Sequence, residues 1–413
     1  MKSIKSFFTP DFFIGNRRHL RQLCATTEPI IVTANGLLQR GADSTYAFAQ
    51  DANFWYLTGV NEPDVLLVML GNAEYLIVPE RDDSREIFDG AVNDDALSRV
   101  SGIVEVLDQT NGWKRLAKDL KAGISTTLAP APAYIEHYGM YVNPARLALA
   151  KQLEVHGVTQ ILDAAPHMAA MRVIKQPAEI AAIQAAIDTT INTLLQLTPA
   201  ANLVTYDHEY QLEADITRGF RFRGAYGHAF EPIVAGGSNA CTLHNVANND
   251  ALRANELVVL DVGAEVEHYA ADITRTVSAS VPTSRQQAVY DAVLDVQKFG
   301  FELIKPGTYM KENEQKIEAY MGQKLQQLGL IKKISHENVR KYFPHATSHF
   351  MGLNVHDIGD YHEPLRPGMV MTVEPGIYIE EEAIGVRIED DVVLTETGLR
   401  ILTDRLPRVL YQP

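Results

Sequence analysis

The sequence predicts a two-domain protein in which an α/β domain precedes a larger α+β domain. In the first 165 residues or so, short apolar runs alternate with helical patterns, which is typical of a sheet covered by helices. From about Met171 onward, amphipathic helices are interleaved with strand-like runs, which predicts helices packed on an antiparallel sheet. A length of 413 residues suffices for two or three domains. We therefore predict domains at residues 1–168 and 169–413.

The first domain contains three runs rich in aliphatic and β-branched residues, each bounded by Gly, Pro or Asn. Such runs predict buried strands, at residues 29–35, 64–70 and 73–80. Helical patterns occur at residues 94–99 and 144–156, and a further short strand is predicted at 159–163. This order of elements predicts a sheet that is mostly covered.

The second domain begins with a long amphipathic helix. Pro177 suits a first helical turn, and Ile180, Ile183 and Ile187 follow at spacings of three and four residues. Further helices are predicted at residues 207–220, 283–304 and 311–328, and Lys-Pro-Gly at 305–307 ends the second of these. Strands are predicted within residues 256–280, 368–379 and 385–398.

Composition excludes several functions. There are 37 Lys and Arg against 52 Asp and Glu, a net charge of −15, which argues against a nucleic-acid partner. Cys24 and Cys241 cannot form a disulfide framework, so a reducing compartment is expected. No run of eighteen apolar residues predicts a membrane span, and residues 1–23 lack the features of a signal peptide. We expect a cytoplasmic protein with no membrane partner.

The segment VVLDVGAEVEHYAADITRTV, residues 258–277, places two aspartates in apolar surroundings. If its two halves form a hairpin, Asp261 and Asp272 lie on neighbouring strands, about 5 Å apart from backbone to backbone. Two carboxylates that emerge from apolar strands repel each other and call for a cation between them. An exposed strand face with ordinary acidic residues fits this segment equally well.

Three further segments add candidate ligands. PHATSHFMGLNVHDIG, residues 344–359, holds three of the 13 histidines within twelve positions: His345, His349 and His356. Glu374 ends an apolar run in TVEPGIYI, and Glu389 emerges from another in GVRIEDDVVLTETG. A set of four carboxylates and one imidazole suits two divalent ions that share bridging carboxylates; its members are Asp261, Asp272, Glu374, Glu389 and His349. The majority of oxygen donors favours Mn²⁺.

Taken in order, these motifs closely resemble the dinuclear metallopeptidases of the pita-bread fold, and within them the Xaa-Pro aminopeptidase (aminopeptidase P) and prolidase family. The first domain also matches the family pattern, through RRHL at residues 17–20, residues 42–64 and the linker at 171–180. The resemblance implies a creatinase-like α/β domain at the N-terminus. It implies a C-terminal pita-bread domain in which helices cover a curved antiparallel sheet. It also implies a homodimer or homotetramer, with the first domain in substrate or subunit contacts.

The resemblance implies a role for each ligand. Asp261 would bind one ion, and Asp272 and Glu389 would bridge both. His349 and Glu374 would complete the two coordination shells, and Glu374 would also shuttle a proton. A hydroxide that bridges the ions is then the expected nucleophile on the scissile carbonyl. Mn²⁺ is the expected metal, with Co²⁺, Zn²⁺ and Fe²⁺ as alternatives.

The family pattern also assigns residues to the substrate, a peptide with proline in second position. His356 would hydrogen-bond the substrate carbonyl, and His244 and His345 would shape the pocket for the proline ring. Tyr378 and Arg387 lie where the family places groups that contact substrate or support the ligands. From the residues alone, His244 reads as an exposed loop residue and Tyr378 as core packing.

Three alternatives stay open. Prolidase cleaves only Xaa-Pro dipeptides, and some prolidases hold the dipeptide carboxylate with an arginine in an insertion between the positions of His356 and Glu374. This chain has no such insertion, and Arg366 lies in a Leu-Arg-Pro-Gly turn. A non-catalytic peptide-binding pita-bread protein is disfavoured because all five ligand positions are filled. A methionine aminopeptidase would not need the large first domain.

Overall fold

A computed structural model of the protein describes residues 6–81, 86–88, 90–120, 123–128 and 132–413. The chain divides into two units, Met1–Met171 and Arg172–Pro413. The boundary predicted at residues 168 and 169 falls inside the helix Ala165–Arg172. The roles assigned above to the two domains stay predictions.

The first unit is built on a six-stranded mixed sheet. In spatial order its strands are Gln160–Asp163, Ile124–Thr127, Ile30–Thr33, Leu66–Leu70, Ala73–Val78 and Glu105–Asp108. The middle strands pair antiparallel through Leu66–Leu70, and the outer pairs are parallel. The central strands are buried, whereas both edge strands are largely exposed. The prediction that helices cover most of the sheet therefore holds for its centre and not for its edges.

Helices cover this sheet and supply its core. They are Pro10–Cys24, Ala52–Thr58, Asp94–Ser101, Gln109–Asp119 and Ala145–Val155. Two short hairpins, Gln39–Gly41 with Ser44–Thr45 and Tyr134–Ile135 with Met140–Tyr141, complete the unit. Ile31, Val68 and Ile77 of the sheet pack with Leu116 and Leu153 of the helices in one buried cluster.

The second unit holds the longest helices. The longest are Pro177–Leu197, Ser284–Leu303 and Met310–Gln327, and shorter helices are Ala200–Leu203, Glu209–Phe222 and His336–Arg340. The first begins with a capping box, in which the carboxylate of Glu179 accepts a hydrogen bond from the backbone N–H of Gln176. Thr283 caps Ser284–Leu303 in the same way. The predicted helices therefore begin within two residues of their observed starts.

Every strand pair of the second unit is antiparallel. Its strands are Gly227–His228, Ile233–Gly236, Leu257–Val262, Ala264–Val266, Tyr269–Ala270, Ile273–Ser278, Val370–Val373, Gly376–Ile379, Ile384–Arg387, Asp390–Leu394 and Leu399–Ile401. Helices Ser284–Leu303 and Met310–Gln327 pack on them through Val293, Ile317 and Ile377. Helices on an antiparallel sheet are the α+β arrangement predicted for this part of the chain.

One predicted strand is broken in the structure. Ile384–Arg387 pairs with Gly376–Ile379, whereas Asp390–Leu394 pairs with Val370–Val373. The change of partner falls where Pro375, which has no backbone N–H to donate, interrupts the opposite strand. Glu389 therefore lies in the break between the two strand pairs.

The helix Pro10–Cys24 has no counterpart among the predicted elements. Pro10 occupies its first turn, and Phe13, Arg17 and Leu20 are buried along one side. Among the described residues, no helix combines the length and the apolar character needed to cross a membrane.

Candidate metal centre

Two neighbouring strands bring Asp261 and Asp272 together. Asp261 lies at the end of Leu257–Val262 with its Cα opposite Thr274, and Asp272 directly precedes Ile273–Ser278. The strands approach closely at Gly263, where any Cβ would overlap the carbonyl oxygen of Ala271. A glycine is thus required between the two aspartates. They belong to neighbouring antiparallel strands, as predicted, but Asp261 lies opposite Thr274 and not opposite Asp272.

Three more ligand candidates converge on Asp272. His349 Nε2 lies 3.3 Å from an Asp272 carboxylate oxygen and 3.4 Å from a Glu374 carboxylate oxygen. One donor atom each from Asp272, His349 and Glu389 lie within 4.8 Å of one another, which is compact enough to hold an ion. Glu389 reaches this point because its backbone N–H donates to the carbonyl of Thr274.

The carboxylates of Asp272 and Glu389 are buried, and that of Glu374 is half-buried. Burial, reinforced by the charges of Asp261 and Asp391, raises the pKa of Asp272 well above its ordinary value. Burial and the charge of Asp272 do the same to the pKa of Glu389, and burial raises the pKa of Glu374. Each of these acids is costly to ionise without a cation, because like charges in a desolvated site repel each other.

Divalent cations fit this donor set. Asp261 uses one carboxylate oxygen to accept from Arg387 Nη2 at 2.7 Å, while its Oδ1 is buried and has no hydrogen-bond partner in the described part of the chain. A buried carboxylate oxygen without a hydrogen-bond donor destabilises the folded state, because it has lost its contacts with water. A coordinated cation would replace those contacts. Four carboxylates and one imidazole also match the ligand preference of oxygen-seeking ions such as Mn²⁺.

The imidazole of His349 is oriented as a ligand. Its Nδ1 lies 3.1 Å from the carbonyl oxygen of Phe350, so Nδ1 carries the proton and donates it there. Nε2 then presents its lone pair toward Asp272 and Glu374. A backbone partner that fixes the tautomer in this way is usual for metal-binding histidines.

A hydrogen-bonded chain links Asp261 to His345. Arg387 donates to Asp261 and, through Nη1, to the hydroxyl oxygen of Tyr378 at 2.9 Å. That hydroxyl lies 2.8 Å from His345 Nε2, and His345 Nδ1 lies 2.8 Å from the carbonyl oxygen of Ala346. Burial, with the charge of Arg387, lowers the pKa of His345 to about 3. The ring is therefore neutral, so Nδ1 donates to Ala346 and Nε2 accepts from Tyr378.

His356 and His244 lie beside this cluster. The rings of His356 and His349 have centroids 4.1 Å apart. Partial burial, with the charges of His349 and His244, lowers the pKa of His356 to about 4, so His356 is neutral at pH 7. His244 is exposed in a turn, as its sequence alone suggests, yet it is near enough to act on the pKa of both His345 and His356.

Three residues that support the cluster are absent from the sequence-based set. Thr274 donates to Glu389 at 2.6 Å, and Thr372 donates to Glu374 at 3.1 Å. The Asp391 carboxylate accepts from the backbone N–H of Asp272 at 3.1 Å. Thr274 and Thr372 each lie two positions from a candidate ligand in a strand-like run. Because side chains two positions apart on a strand point to the same face, this spacing could have indicated both residues.

Comparison with known proteins gives two family matches. Residues 161–396 match the model of metallopeptidase family M24, and residues 13–127 match that of the aminopeptidase P N-terminal domain. The chain is 35% identical over 411 residues to Xaa-Pro aminopeptidase 3 of Homo sapiens, covering 93% of this chain and 79% of the human protein. It is 34% identical over 390 residues to the Xaa-Pro aminopeptidase of Escherichia coli, covering 88% of each.

Solved structures show the same similarity. Aminopeptidase P from Escherichia coli with the inhibitor Pro-Leu superposes with a TM-score of 0.85 at 30% sequence identity. The match covers 97% of this chain and 96% of the other. Similarity over nearly the full length of both chains confirms the predicted fold class.

Proposed function

The chain belongs to metallopeptidase family M24, and from this premise we propose that it is a metal-dependent Xaa-Pro aminopeptidase. The enzyme releases the N-terminal residue from peptides whose second residue is proline. The observation that carries the proposal is the buried cluster of Asp272, His349 and Glu389, which has the donor atoms of a divalent metal site. Relatives that carry the name Xaa-Pro aminopeptidase support the substrate class.

In this proposal, five residues hold two divalent ions: Asp261, Asp272, His349, Glu374 and Glu389. Bound there, the ions would supply a nucleophile from water at neutral pH and polarise the scissile carbonyl. The oxygen-rich donor set favours Mn²⁺ among the divalent metals. Metal analysis of the purified protein tests that identity.

Glu374 is proposed to move the proton. Its carboxylate is fixed by the hydroxyl of Thr372 and lies 3.6 Å from Nδ1 of His345. Because burial raises its pKa, Glu374 is a better proton acceptor than an exposed glutamate. It is therefore suited to take a proton from water and return it to the leaving nitrogen.

The neutral histidines are proposed to receive the substrate. A neutral His356 can donate one hydrogen bond to the scissile carbonyl without adding a charge. Both ring nitrogens of His345 are already engaged, by Tyr378 and Ala346, so this ring offers its face to a proline ring. His244 contributes to the same pocket from its turn, and the acidic cluster attracts the free amine of the peptide.

Proline selectivity follows from the chemistry of the bond. An Xaa-Pro bond is a tertiary amide with no N–H and with a fixed φ at proline, so a rigid pocket can select it by shape. The Pro-Leu inhibitor of the Escherichia coli structure has the composition left after a residue is removed from Xaa-Pro-Leu. This likeness supports a pocket on the proline side of the scissile bond.

We also infer the setting of the enzyme. Cys24 and Cys241 are both free, which supports a reducing compartment such as the cytoplasm. A homodimer or homotetramer is proposed from family membership, with the first domain in substrate or subunit contacts. Sedimentation analysis of the purified chain tests the oligomer.

The test is hydrolysis of Gly-Pro-Yaa tripeptides with added Mn²⁺, followed by chelation. We expect cleavage after the first residue and loss of activity with chelator. Asp272→Ala and His349→Ala should each lower kcat by more than about 100-fold, because even residues that only orient metal ligands cost 10- to 100-fold. The matched control is Asp404→Ala, at an exposed aspartate of the same unit.

Two outcomes would contradict the proposal. Full activity of Asp272→Ala or His349→Ala would remove the metal site from the reaction. Faster cleavage of Gly-Pro than of Gly-Pro-Yaa would identify the protein as a prolidase instead.

A further inference from the structure

A second cluster of buried charges lies beside the metal centre, and no part of the proposed chemistry uses it. It consists of Arg172, Lys175 and Asp357, whose side chains are each 1% exposed. Arg172 pairs with one oxygen of the Asp357 carboxylate, and Lys175 Nζ donates to the other oxygen at 2.9 Å. The two cations hold the pKa of Asp357 below its ordinary value although burial acts in the opposite direction. Asp357 is therefore a fixed carboxylate with both oxygens engaged.

Lys175 and Arg172 are themselves anchored. Lys175 Nζ also donates to the carbonyl of Arg172 at 2.7 Å, and its backbone N–H donates to the carbonyl of Gly368 at 2.8 Å. Arg172 donates a further hydrogen bond to the side-chain oxygen of Asn354 at 2.9 Å. Lys175 is thus anchored by residues outside the loop that carries Asp357, whereas Arg172 also binds that loop through Asn354.

The loop that connects His349 to Asp357 closes on this cluster. The backbone N–H of Asp357 donates to the carbonyl of Phe350 at 2.8 Å, and the carbonyl of Gly352 accepts from Ala270 at 2.9 Å. A Cβ at Gly352 would overlap the Asp357 carboxylate and come within 2.8 Å of Lys175 Cε. The loop therefore needs a glycine so that it can pass directly over the ion pair.

His356 depends on this arrangement for its position. Within the described residues its imidazole makes no hydrogen bond, and its close ring neighbour is His349. The backbone that carries the ring is fixed at the next residue, because consecutive Cα atoms joined by a planar peptide are about 3.8 Å apart. A displacement of the Asp357 backbone therefore also displaces the backbone of His356 and the ring that it carries.

We propose that Asp357, clamped by Arg172 and Lys175, is a positioning residue that holds the His356 ring against His349 at the metal centre. This inference rests on the proposed function only for its kinetic consequence. The structural statement, that the ring's position depends on the ion pair, stands independently of the reaction. Misplacing a catalytic group by about 1 Å can cost on the order of 100-fold in rate.

The kinetic test is a double-mutant cycle on metal-loaded enzyme. Asp357→Asn keeps the shape of the side chain and removes its charge. We expect it to lower kcat on a Gly-Pro-Yaa peptide by about 10- to 100-fold, with little change in KM or in bound metal. His356→Ala should lower kcat in the wild-type background but should add almost nothing in the Asp357→Asn background, because the ring is already misplaced there.

The matched control is an ion pair of the first unit, distant from Asp357 in sequence. Arg17, whose side chain is fully buried, pairs with Glu74 at 2.8 Å in the first unit. Glu74→Gln should lower the unfolding temperature and leave kcat unchanged. If Asp357→Asn behaves like this control, or if His356→Ala costs the same factor in both backgrounds, the positioning role is overturned.

A structural readout separates this inference from the proposed function. A crystal structure of Asp357→Asn without metal or substrate should show the His356 ring displaced from its place against His349. A ring in the wild-type position would overturn the proposal. Where Asp357→Asn does not fold, Gly352→Ala displaces the same carboxylate without removing a charge, and the same result is expected. If the wild-type protein cleaves no Xaa-Pro peptide, the proposed function fails while this readout still decides the positioning role.

Discussion

Glu179 is a buried carboxyl group that the metal centre does not use. Its side chain accepts hydrogen bonds from the hydroxyl of Tyr269 at 3.0 Å and from the backbone N–H of Gln176 at 2.9 Å. Burial raises its pKa from 4.5 to about 7, although the nearby charge of Lys175 lowers it. The folded protein therefore holds a proton on Glu179 in a pH range where the unfolded chain has released it.

This shift predicts a pH-dependent stability. Because the folded pKa is raised, the contribution of Glu179 is fully present below pH 4.5 and is lost as the pH rises through 7. Glu179→Gln does not ionise: its single side-chain oxygen can still accept from the backbone N–H of Gln176, and its amide nitrogen can donate to the hydroxyl oxygen of Tyr269. The free energy of unfolding of the wild type relative to this variant should fall by up to about 3 kcal/mol between those pH values. Thermal unfolding of both proteins at pH 4.5, 6 and 8 measures the difference, and a difference that is constant with pH would contradict the assignment.

At the residue scale, the sequence singles out the candidate ligands more readily than the residues that support them. Acids such as Glu374 and Glu389 that emerge from apolar runs are conspicuous, because burying a carboxylate needs a partner. The partners themselves are ordinary residues: Thr274 and Thr372 are common in strands and carry no charge to draw attention. The ion pairs of Asp357 could not be predicted either, because their partners Arg172 and Lys175 lie more than 180 positions away in sequence.

The element that positions the first two ligands is the pair of strands Leu257–Val262 and Ile273–Ser278. Their ladder runs from Leu257 opposite Ser278 to Val262 opposite Ile273. Gly263 follows directly, at the close approach to Ala271. The spacing of Asp261 and Asp272 therefore depends on a position that tolerates only hydrogen at Cα.

Gly263→Ala is accordingly expected to weaken metal binding. The added methyl group must push the two strands apart, and coordination geometry is lost with displacements of a few tenths of an ångström. We expect the affinity for Mn²⁺ to fall by at least about 10-fold, together with a lower unfolding temperature. Calorimetric titration with Mn²⁺ measures the affinity.

The control for this variant is Gly398→Ala, where a Cβ would meet no atom within 4 Å. It should bind Mn²⁺ like the wild type. An unchanged affinity in Gly263→Ala would mean that the strand spacing does not define the site.

At the element scale, local signals predicted the helix starts of the second unit well, missed the helix Pro10–Cys24, and predicted strand boundaries less well. Pro177 and Thr283 mark helix starts through chemistry within a few residues of the start. The break between Arg387 and Asp390 has no such mark in its own segment, because its cause is Pro375 on the partner strand. A run such as 385–398 reads as continuous until its pairing partners are known.

At the scale of the whole molecule, the chain combines a mixed-sheet unit with an antiparallel unit that holds every candidate ligand. The order of apolar strand-like runs and helical patterns along the sequence was enough to predict an α/β first domain and an α+β second domain, because each fold class has its own order of elements. The proposed oligomer and the proposed role of the first unit would involve surfaces between chains, and no local pattern of a single sequence encodes such surfaces.

The central claim is that the buried acidic cluster of the second unit is a divalent metal centre. The most direct measurement is calorimetric titration of Mn²⁺ into chelator-treated protein, with Asp272→Asn and His349→Ala titrated in parallel. We predict two ions bound per chain in the wild type and a loss of binding in both variants, accompanied by a rise in unfolding temperature only where metal binds. Absence of binding to the wild type, or the same binding in all three proteins, would contradict the account.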